Sequence, residues 1–365
     1  MAVDTLVGAG TGGYDTEGHI NESVLQTIYD LSRRPLPLQD TIGTGTHTRE
    51  KHEWTMRRLA KGVITNKRVD GSDPTADNNK IGVRVSNHSQ ISAKTVKVSD
   101  RVRGSDAVGV GDELRKQITD RAWELRYDIE AGMLSNLASV ADDGVSTAGQ
   151  SGGLVAWAKA EDVDGTASSH FVSIGTAGTF ADGGWNSSTS VVDKCTFNTT
   201  NTALAQSDID GVILAMWKLN SKPTCAMMPG TVCQKLSKYF FGSTSQISTL
   251  NSDGPNGAVD RVAQSAVNIY HTDFGTTLKL MANVHMPNRV DTTMTDGTTD
   301  TDAMMIFDPS YLHFSTLNNF RTKNHAVTGL AQEVEHSVDW TLVVENHEAV
   351  GGIVGILDTA AVTAT

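Results

Sequence analysis

One long apolar stripe limits the possible folds of this 365-residue chain more than any other sequence feature. Across residues 111–137 the apolar side chains recur every three or four positions, which is the spacing of one helix face. Asp112 and Glu113 stand at the start, where the helix dipole favours acidic groups. About 27 residues at roughly 1.5 Å each give a helix of about 40 Å, long enough to span a domain, and we call it the spine helix. Its stripe consists of Leu114, Ile118, Ala122, Leu125, Ile129, Met133 and Leu137.

A charged β-hairpin is predicted before the spine helix. Residues 66–80 consist almost wholly of polar and turn-forming types. Strand-like stretches flank this loop, one ending near Ile64 and another running through Ile81, Val83 and Val85. The pattern predicts a long hairpin with an exposed tip.

A mixture of helices and strands is predicted for the rest of the chain. Residues 333–345 alternate between apolar and charged types, which predicts a strand with one buried face. Its other face, with Glu333, Glu335, Asp339 and Glu345, is predicted to meet solvent. Three further helices are predicted: one at 21–31, one that begins at Ser207, and one at 231–241. Pro35 and Pro37 predict extended backbone. Strands are predicted at 223–228 and 303–307, and a hairpin is predicted to pair 266–271 with 277–282.

Composition argues against membrane-spanning and disulfide-bonded classes of protein. Apolar runs are short, with seven residues at 211–217, whereas a spanning helix needs about 20. The first 32 residues contain no Lys or Arg, so a secretory signal is not expected. The three cysteines form no C-x-x-C pair, which disfavours a disulfide framework and a structural zinc site and fits a reducing compartment.

The net charge of −12 is distributed very unevenly. Residues 1–30 carry five acids and no base, whereas residues 31–103 carry 15 Lys or Arg against seven Asp or Glu. Residues 104–365 carry 15 basic and 30 acidic side chains. Such a pattern fits either a solvated basic face or a basic segment that lies on an acidic neighbouring surface, including another copy of the chain. Direct nucleic-acid binding is a weaker interpretation because no known motif accompanies the basic charge.

Two glycine-containing motifs match functional patterns but lack their structural context. Gly8-Ala-Gly10-Thr-Gly12-Gly13 satisfies the dinucleotide-binding pattern, which requires a buried strand before it and a helix after it. Neither is predicted there. Gly149-Gln-Ser151-Gly-Gly153 satisfies the G-x-S-x-G pattern of serine hydrolases, which requires a strand leading into the serine. The preceding ADDGVSTA predicts no strand, so a serine hydrolase with nucleophile Ser151 is kept only as an alternative.

Other candidate chemistry is weaker still. Four aspartates in a Thr-rich loop could hold a hard cation, but the register of an EF-hand is absent. His47 and His52 flank a polar turn and are predicted to lie at the surface. No set of residues forms a persuasive catalytic constellation, so the sequence indicates a structural or interaction protein without a metal or cofactor. The four aspartates are Asp291, Asp296, Asp300 and Asp302.

Several segments, taken in order, resemble one family. RPLPLQDTIGTGTHTREKHEW at 34–54 is similar to an N-terminal arm with a "P-L/F-x-x-x-I-G" run before "HEW". NHSQISAKTVKVSDRVR at 87–103 and DELRKQITDRAWELRYDIEAGMLSN at 112–136 resemble the approach to a spine helix and the helix itself. GLVAW at 153–157 and the long block 308–357 resemble the segments that follow. Together they resemble the major capsid proteins of tailed bacteriophages with the Hong Kong 97-type fold, in the branch of phage SU ten.

The resemblance implies an α+β fold and a structural, non-enzymatic capsid subunit. Its copies would form the hexamers and pentamers of an icosahedral or elongated shell around double-stranded DNA. The family's "E-Y-T-L" appears here as Asp339-Trp-Thr-Leu342, and residues 158–205 match poorly. The implied division is an arm at 1–55, an extended hairpin at 56–100, the spine helix of a peripheral domain at 101–140, Gly/Ser/Thr-rich decoration at 141–204, a mainly axial domain at 205–300, and C-terminal peripheral strands at 301–365.

The resemblance also implies partners and a location. Expected partners are other copies of the chain, a separate scaffolding protein, a portal and possible decoration proteins, with packaged DNA only in non-specific proximity and no membrane. The expected location is the virion, after assembly in the host cytoplasm, and the alternative shell is a non-viral nanocompartment. Predicted intersubunit contacts are Arg49, Lys51, Trp54, Arg57, Arg58, Lys61, Lys67, Arg68, Lys80 and Arg84.

Overall fold

The structure is a computed structural model, and it describes ten segments of the chain. Predictions at 1–32, including the helix at 21–31 and the Gly8–Gly13 motif, lie outside these segments. So do Lys61, Lys80, Asp291, Asp296 and Asp300. The described residues are 33–59, 62–73, 82–105, 112–159, 170–174, 183–195, 202–240, 268–286, 302–327 and 329–357.

The described residues contain both helices and strands, mostly in runs of one type. The helices are α1 (Pro37–Thr41), α2 (Asp100–Gly104), α3 (Glu113–Leu134), α4 (Leu154–Ala158), α5 (Gln206–Lys218) and α6 (Gly230–Phe240). The strands are β1 (Gly43–Thr46), β2 (Lys51–Met56), β3 (Val83–His88), β4 (Gln90–Ser99), β5 (Phe171–Ser173), β6 (Gly184–Trp185), β7 (Val192–Asp193), β8 (Cys225–Met228), β9 (Ile269–His271), β10 (Thr277–Ala282), β11 (Asp302–Phe307), β12 (Leu312–Asn324), β13 (Ala331–Val344) and β14 (Val350–Ile356).

The spine helix is α3, which is a few residues shorter at each end than the stripe predicts. It starts at Glu113 because the Asp112 side chain caps it, accepting a hydrogen bond from Leu114 N at 3.1 Å. It ends at Leu134, where Ser135 adopts extended backbone. Leu125 and Ile129 are buried on the predicted face, and α3 packs along β4 and β13.

A four-stranded sheet lies against the spine helix, in the order β1-β12-β13-β4. β12 and β13 form a long antiparallel hairpin, while β1 joins β12 in parallel. The helix approaches this sheet closely at Gly132, where an added Cβ would lie 3.3 Å from the Trp340 ring. Trp340 is fully buried between the helix and the sheet.

A six-stranded sheet forms the second layer of structure, in the order β5-β14-β11-β8-β10-β9. Its central strands are apolar on both faces because α5 covers one side and the main core covers the other. The predicted hairpin is confirmed here, since β9 and β10 pair antiparallel around Asp273. The predicted domain boundary at 300/301 does not coincide with the sheets, because β11 and β14 pair with strands of this second sheet.

Two short connectors join the two sheets. Residues 308–311 link β11 to β12, and residues 345–349 link β13 to β14. Glu345 N donates to Tyr311 O at 2.9 Å, and Asp308 N donates to Ala349 O at 3.2 Å. We call this pair of connectors the sheet junction.

Three local predictions are wrong. Pro37 does not enforce extended backbone: it occupies the first turn of α1, where its missing N–H costs nothing. Asp339 does not face solvent, because β13 lies between β12 and β4 and its C-terminal half is buried on both faces. Ile64 does not end a strand, since β2 stops at Met56 and Ile64 is fully exposed.

Within the described segments, no helix is both long enough and apolar enough to cross a membrane.

Candidate assembly surface

The extension, which we define as residues 57–82, leaves the body from a short two-stranded sheet. β2 and β3 pair antiparallel, with Lys51 opposite His88 and Met56 opposite Val83. Met56 and Val85 are buried in the main core and anchor this base. The hairpin expected from the sequence is therefore present, but its paired part lies at the base rather than along the extension.

A row of aromatic rings runs from the base of the extension into the body. Successive ring centroids lie 5.4, 5.7, 5.7, 6.5 and 4.9 Å apart, within the range of favourable ring contacts. The prediction that His47 and His52 lie at the surface is wrong, because His47 is buried and His52 is half-buried. The row consists of His47, His52, Trp54, Trp157, His347 and Trp185.

An ion pair links the start of the extension to the sheet junction. Arg58 Nε donates to Glu348 Oε2 at 3.1 Å, and Arg58 Nη2 donates to Glu348 Oε1. The Arg58 side chain is 19% exposed and that of Glu348 is 6% exposed. Burial, followed by the nearby charge of His347, lowers the pKa of His170 to about 4, so that ring is neutral beside the pair at pH 7.

The G-x-S-x-G motif holds the other strand of the base. Ser151 is buried, and its hydroxyl accepts from Asn87 Nδ2 at 3.2 Å and from Leu342 N at 3.1 Å. Gly153 is required because an added Cβ would lie 2.1 Å from Ser135 O. A buried serine that accepts backbone and amide N–H groups is a structural link between β3 and β13, not an exposed nucleophile.

Most of the described extension is exposed, apart from Arg58 and Gly82, which are partly buried. Residue 59 and every residue from 62 to 73 are exposed. Leu59, Val63, Ile64 and Val69 are 65–103% exposed, and they lie among polar and charged neighbours. Exposed apolar side chains concentrated in one segment are typical of a surface that another molecule covers.

Most of the described predicted contact residues lie on the surface of this region. Lys51 and Arg84 flank Glu53, at 3.3 and 3.4 Å. Trp54 and Arg58 differ from the others, because both are partly buried and have partners within the subunit. The remaining exposed residues are Arg49, Arg57, Lys67 and Arg68.

A buried carboxylate that the sequence analysis missed holds the arm against the spine helix. Glu130 accepts from Leu38 N at 2.8 Å and Gln39 N at 3.1 Å, the free amides of the first turn of α1. It also accepts from Asn283 Nδ2 at 2.8 Å, after the end of β10. The available signal was an acid at 130, directly after the stripe residue Ile129.

A second charged and aromatic cluster lies where the described arm begins. The Arg33 guanidinium lies 4.5 Å from the centre of the Trp123 ring, and the Arg126 guanidinium lies 5.3 Å from the same ring centre. Arg126 also lies 5.5 Å from the Phe320 ring of β12. These contacts connect the arm, the spine helix and the long hairpin.

Metal chemistry finds no support in the described part of the chain. None of its His, Cys, Asp and Glu side chains cluster in groups of three that could hold a metal ion. Asp302, the one described member of the predicted acidic loop, is buried and accepts from Thr231 Oγ1 at 3.3 Å.

Comparison with protein families gives one match. A family model described as SU10 major capsid protein matches residues 8–357, almost the whole chain. A comparison with curated protein sequences finds no match.

Solved structures share the fold over nearly their full length. The capsid of cyanophage A-1(L) is 13% identical, covers 92% of this chain and 97% of its own, and has a TM-score of 0.64. The capsid of cyanophage P-SCSP1u is 11% identical, with coverages of 94% and 93% and a TM-score of 0.55. The SrpI encapsulin of Synechococcus elongatus PCC 7942 is 10% identical, with 94% coverage of both chains and a TM-score of 0.53. The expected α+β capsid fold is confirmed.

Proposed function

This chain belongs to the SU10 major capsid protein family, and from that premise we propose that its copies form hexamers and pentamers of a closed shell around double-stranded DNA. The protein is a structural subunit of the virion and not an enzyme. The observation that carries the proposal is the extension, whose described tip presents apolar and basic side chains with little burial.

We assign the extension to contacts between neighbouring copies. It has little core of its own, because residues 59 and 62–73 are exposed and form no paired strand. A neighbour would cover its apolar residues, and its basic residues would face the acidic remainder of the chain. Arg49, Lys51, Arg57, Lys67, Arg68 and Arg84 are the described charged residues proposed for this contact, with Lys61 and Lys80 beyond the described residues.

We also propose which sheet belongs to which domain of the capsid subunit. The four-stranded sheet with the spine helix forms the peripheral domain, and the six-stranded sheet with α5 and α6 forms the axial domain. The decoration at 141–204 contributes α4 and the G-x-S-x-G link to the core, as well as exposed turns such as 142–146.

The other partners follow from what a shell needs. A separate scaffolding protein would guide assembly in the host cytoplasm, and a portal would replace one pentamer. Decoration proteins would bind the outer surface. DNA would be enclosed without specific contacts, because an acidic subunit does not attract a polyanion.

Purified protein at high concentration, alone and with a co-expressed scaffolding partner, tests the proposal by light scattering and electron microscopy. We expect rings or closed particles. A lasting monomer under both conditions would contradict the proposal, and particles formed without the scaffolding partner that enclose a host protein would favour the nanocompartment alternative.

A further inference from the structure

We propose that Arg58 and Glu348 are positioning residues, a latch that fixes the direction in which the extension leaves the subunit by tying it to the sheet junction. This inference rests on the proposed role of the extension in contacts between copies.

The geometry of the pair provides direction as well as attraction. Two parallel N–H groups of one guanidinium meet the two oxygens of one carboxylate. A fork of this kind constrains the angle between the partners, whereas a lysine would act as a point charge. The pair is mostly buried, so solvent and salt screen it little.

The position of Arg58 makes that angle matter. It lies two residues after Met56, the last residue of β2, and Leu59 beside it is 76% exposed. Arg58 is therefore where the chain changes from a core-anchored strand to the exposed extension. A small rotation at this point becomes a large displacement at the tip.

The position of Glu348 connects the latch to both sheets. Glu348 lies in a single helical turn, His347–Ala349, which Asn346 caps: Glu348 N donates a hydrogen bond to Asn346 Oδ1 at 3.1 Å. That turn joins β13 of one sheet to β14 of the other. The stacking of His347 on Trp185, at 4.9 Å, fixes the same turn in the core.

The latch lies beside an open cleft. A cleft of about 770 Å³ is lined by the segment Trp54–Leu59 together with Tyr311, Glu345 and the end of α5 at Lys218. Arg58 and Glu348 both line that cleft, and their ion pair ties the start of the extension to the sheet junction there. A change in the angle between the sheets would therefore move Glu348, and through Arg58 it would redirect the extension.

The test separates direction from stability. The double variant Arg58→Met with Glu348→Leu replaces the pair by apolar side chains of similar length, a change that often preserves stability. Spin labels at Ile64→Cys and Val145→Cys, in a Cys233→Ser background, report the distance between the extension and the body in the isolated subunit. We expect an unchanged melting temperature, a broader distance distribution and a several-fold lower yield of closed particles. Arg57→Met, at the neighbouring exposed arginine, is the matched control for the first two readouts and should leave the melting temperature and the distance distribution unchanged.

Each outcome bears on the latch. An unchanged distance distribution and an unchanged particle yield in the double variant would overturn it. If the wild-type chain never assembles, an unchanged distance distribution alone would overturn it. If the apolar pair does not fold, Arg58→Lys keeps the charge but loses the fork. Recovery of a narrow distribution when Arg58→Glu is combined with Glu348→Arg would support the latch, whereas a native distribution in Arg58→Lys would reject it.

Discussion

Glu130 is a single side chain that joins three separate parts of the subunit: the arm, the spine helix and the segment after β10. Its two oxygens accept N–H groups from the arm and from Asn283, across 92 and 153 residues of sequence. Burial is the main influence on its ionisation and raises the pKa of the carboxyl above its ordinary value of 4.5, although the N–H donors oppose this shift. Ionising this carboxyl in the core therefore costs more free energy than ionising it in water.

The substitution Glu130→Gln should change how stability depends on pH. Because the folded pKa lies above the unfolded one, the wild-type carboxyl stabilises the fold fully below about pH 4.5, and this contribution is lost as pH rises through the folded pKa. Urea unfolding of both proteins measures the difference. We expect the advantage of the wild type over Glu130→Gln to fall as pH rises from 4 towards 7. Glu124→Gln, on the exposed face of the same helix, controls for the loss of one charge. An advantage that grows with pH would mean that the donated hydrogen bonds outweigh burial.

At the scale of elements, the buried face of the spine helix should dominate the stability of the subunit. Ile129 is completely buried and contributes to the main core between the helix and the four-stranded sheet. Ile129→Ala should lower the free energy of unfolding by about 2–5 kcal/mol, since it removes buried methyl groups and leaves a cavity. Asp128→Ala, one residue away, removes a half-exposed partner of Lys94 and should cost about 0–1 kcal/mol. Chemical denaturation of both variants checks the contrast, and equal losses would contradict it.

Regular periodicity explains which elements the sequence predicts well. The spine helix and the β9–β10 hairpin follow from local patterns, because a helix face and a tight turn are set by near neighbours. β13 is predicted as a strand, but its burial is wrong at Asp339. Alternation cannot reveal that a strand will lie between two others and under a helix, which is decided by the whole sheet.

The residues of the candidate assembly surface also fall into two groups, those that the sequence reveals and those that only the fold brings together. Exposed basic residues of the extension, such as Lys67, are visible in the sequence as a charged turn segment. The Arg58–Glu348 pair is not, because 290 residues separate the two side chains and neither position is unusual locally. The Ser151 motif is conspicuous in the sequence but does not mark a catalytic site. Its residues are explained by close backbone packing at Gly153 and by the hydrogen bond that Ser151 accepts from Leu342.

At the scale of the whole molecule, charge is separated in a way that suits contacts between identical copies. The segment 31–103 has a surplus of basic residues, and residues 104–365 have a surplus of acidic ones. Within one subunit, three basic residues of the first segment, Arg58, Lys94 and Lys97, pair with acidic residues of the second. Residues 62–73 of the extension are exposed instead, and contact with the acidic surface of a neighbouring copy would cover the basic residues there.

Assembly should accordingly weaken with salt, through the extension in particular. Exposed ion pairs contribute only about 0–1 kcal/mol each, so the effect must be repeated around the shell, and raising salt from 0.15 to 1 M shortens the screening length from about 8 to about 3 Å. The double variant Lys67→Glu with Arg68→Glu should raise the protein concentration required for particles and reduce the dependence of that concentration on salt. Lys222→Glu with Lys323→Glu makes the same change in net charge at exposed positions of the body and should have a smaller effect. Light scattering across a salt series measures all three proteins.

Equal shifts for both double variants would mean that overall charge repulsion, and not the extension, controls assembly. If assembly of the wild type does not depend on salt, charge does not drive the contact, and the exposed apolar residues of the extension do: Leu59, Val63, Ile64 and Val69.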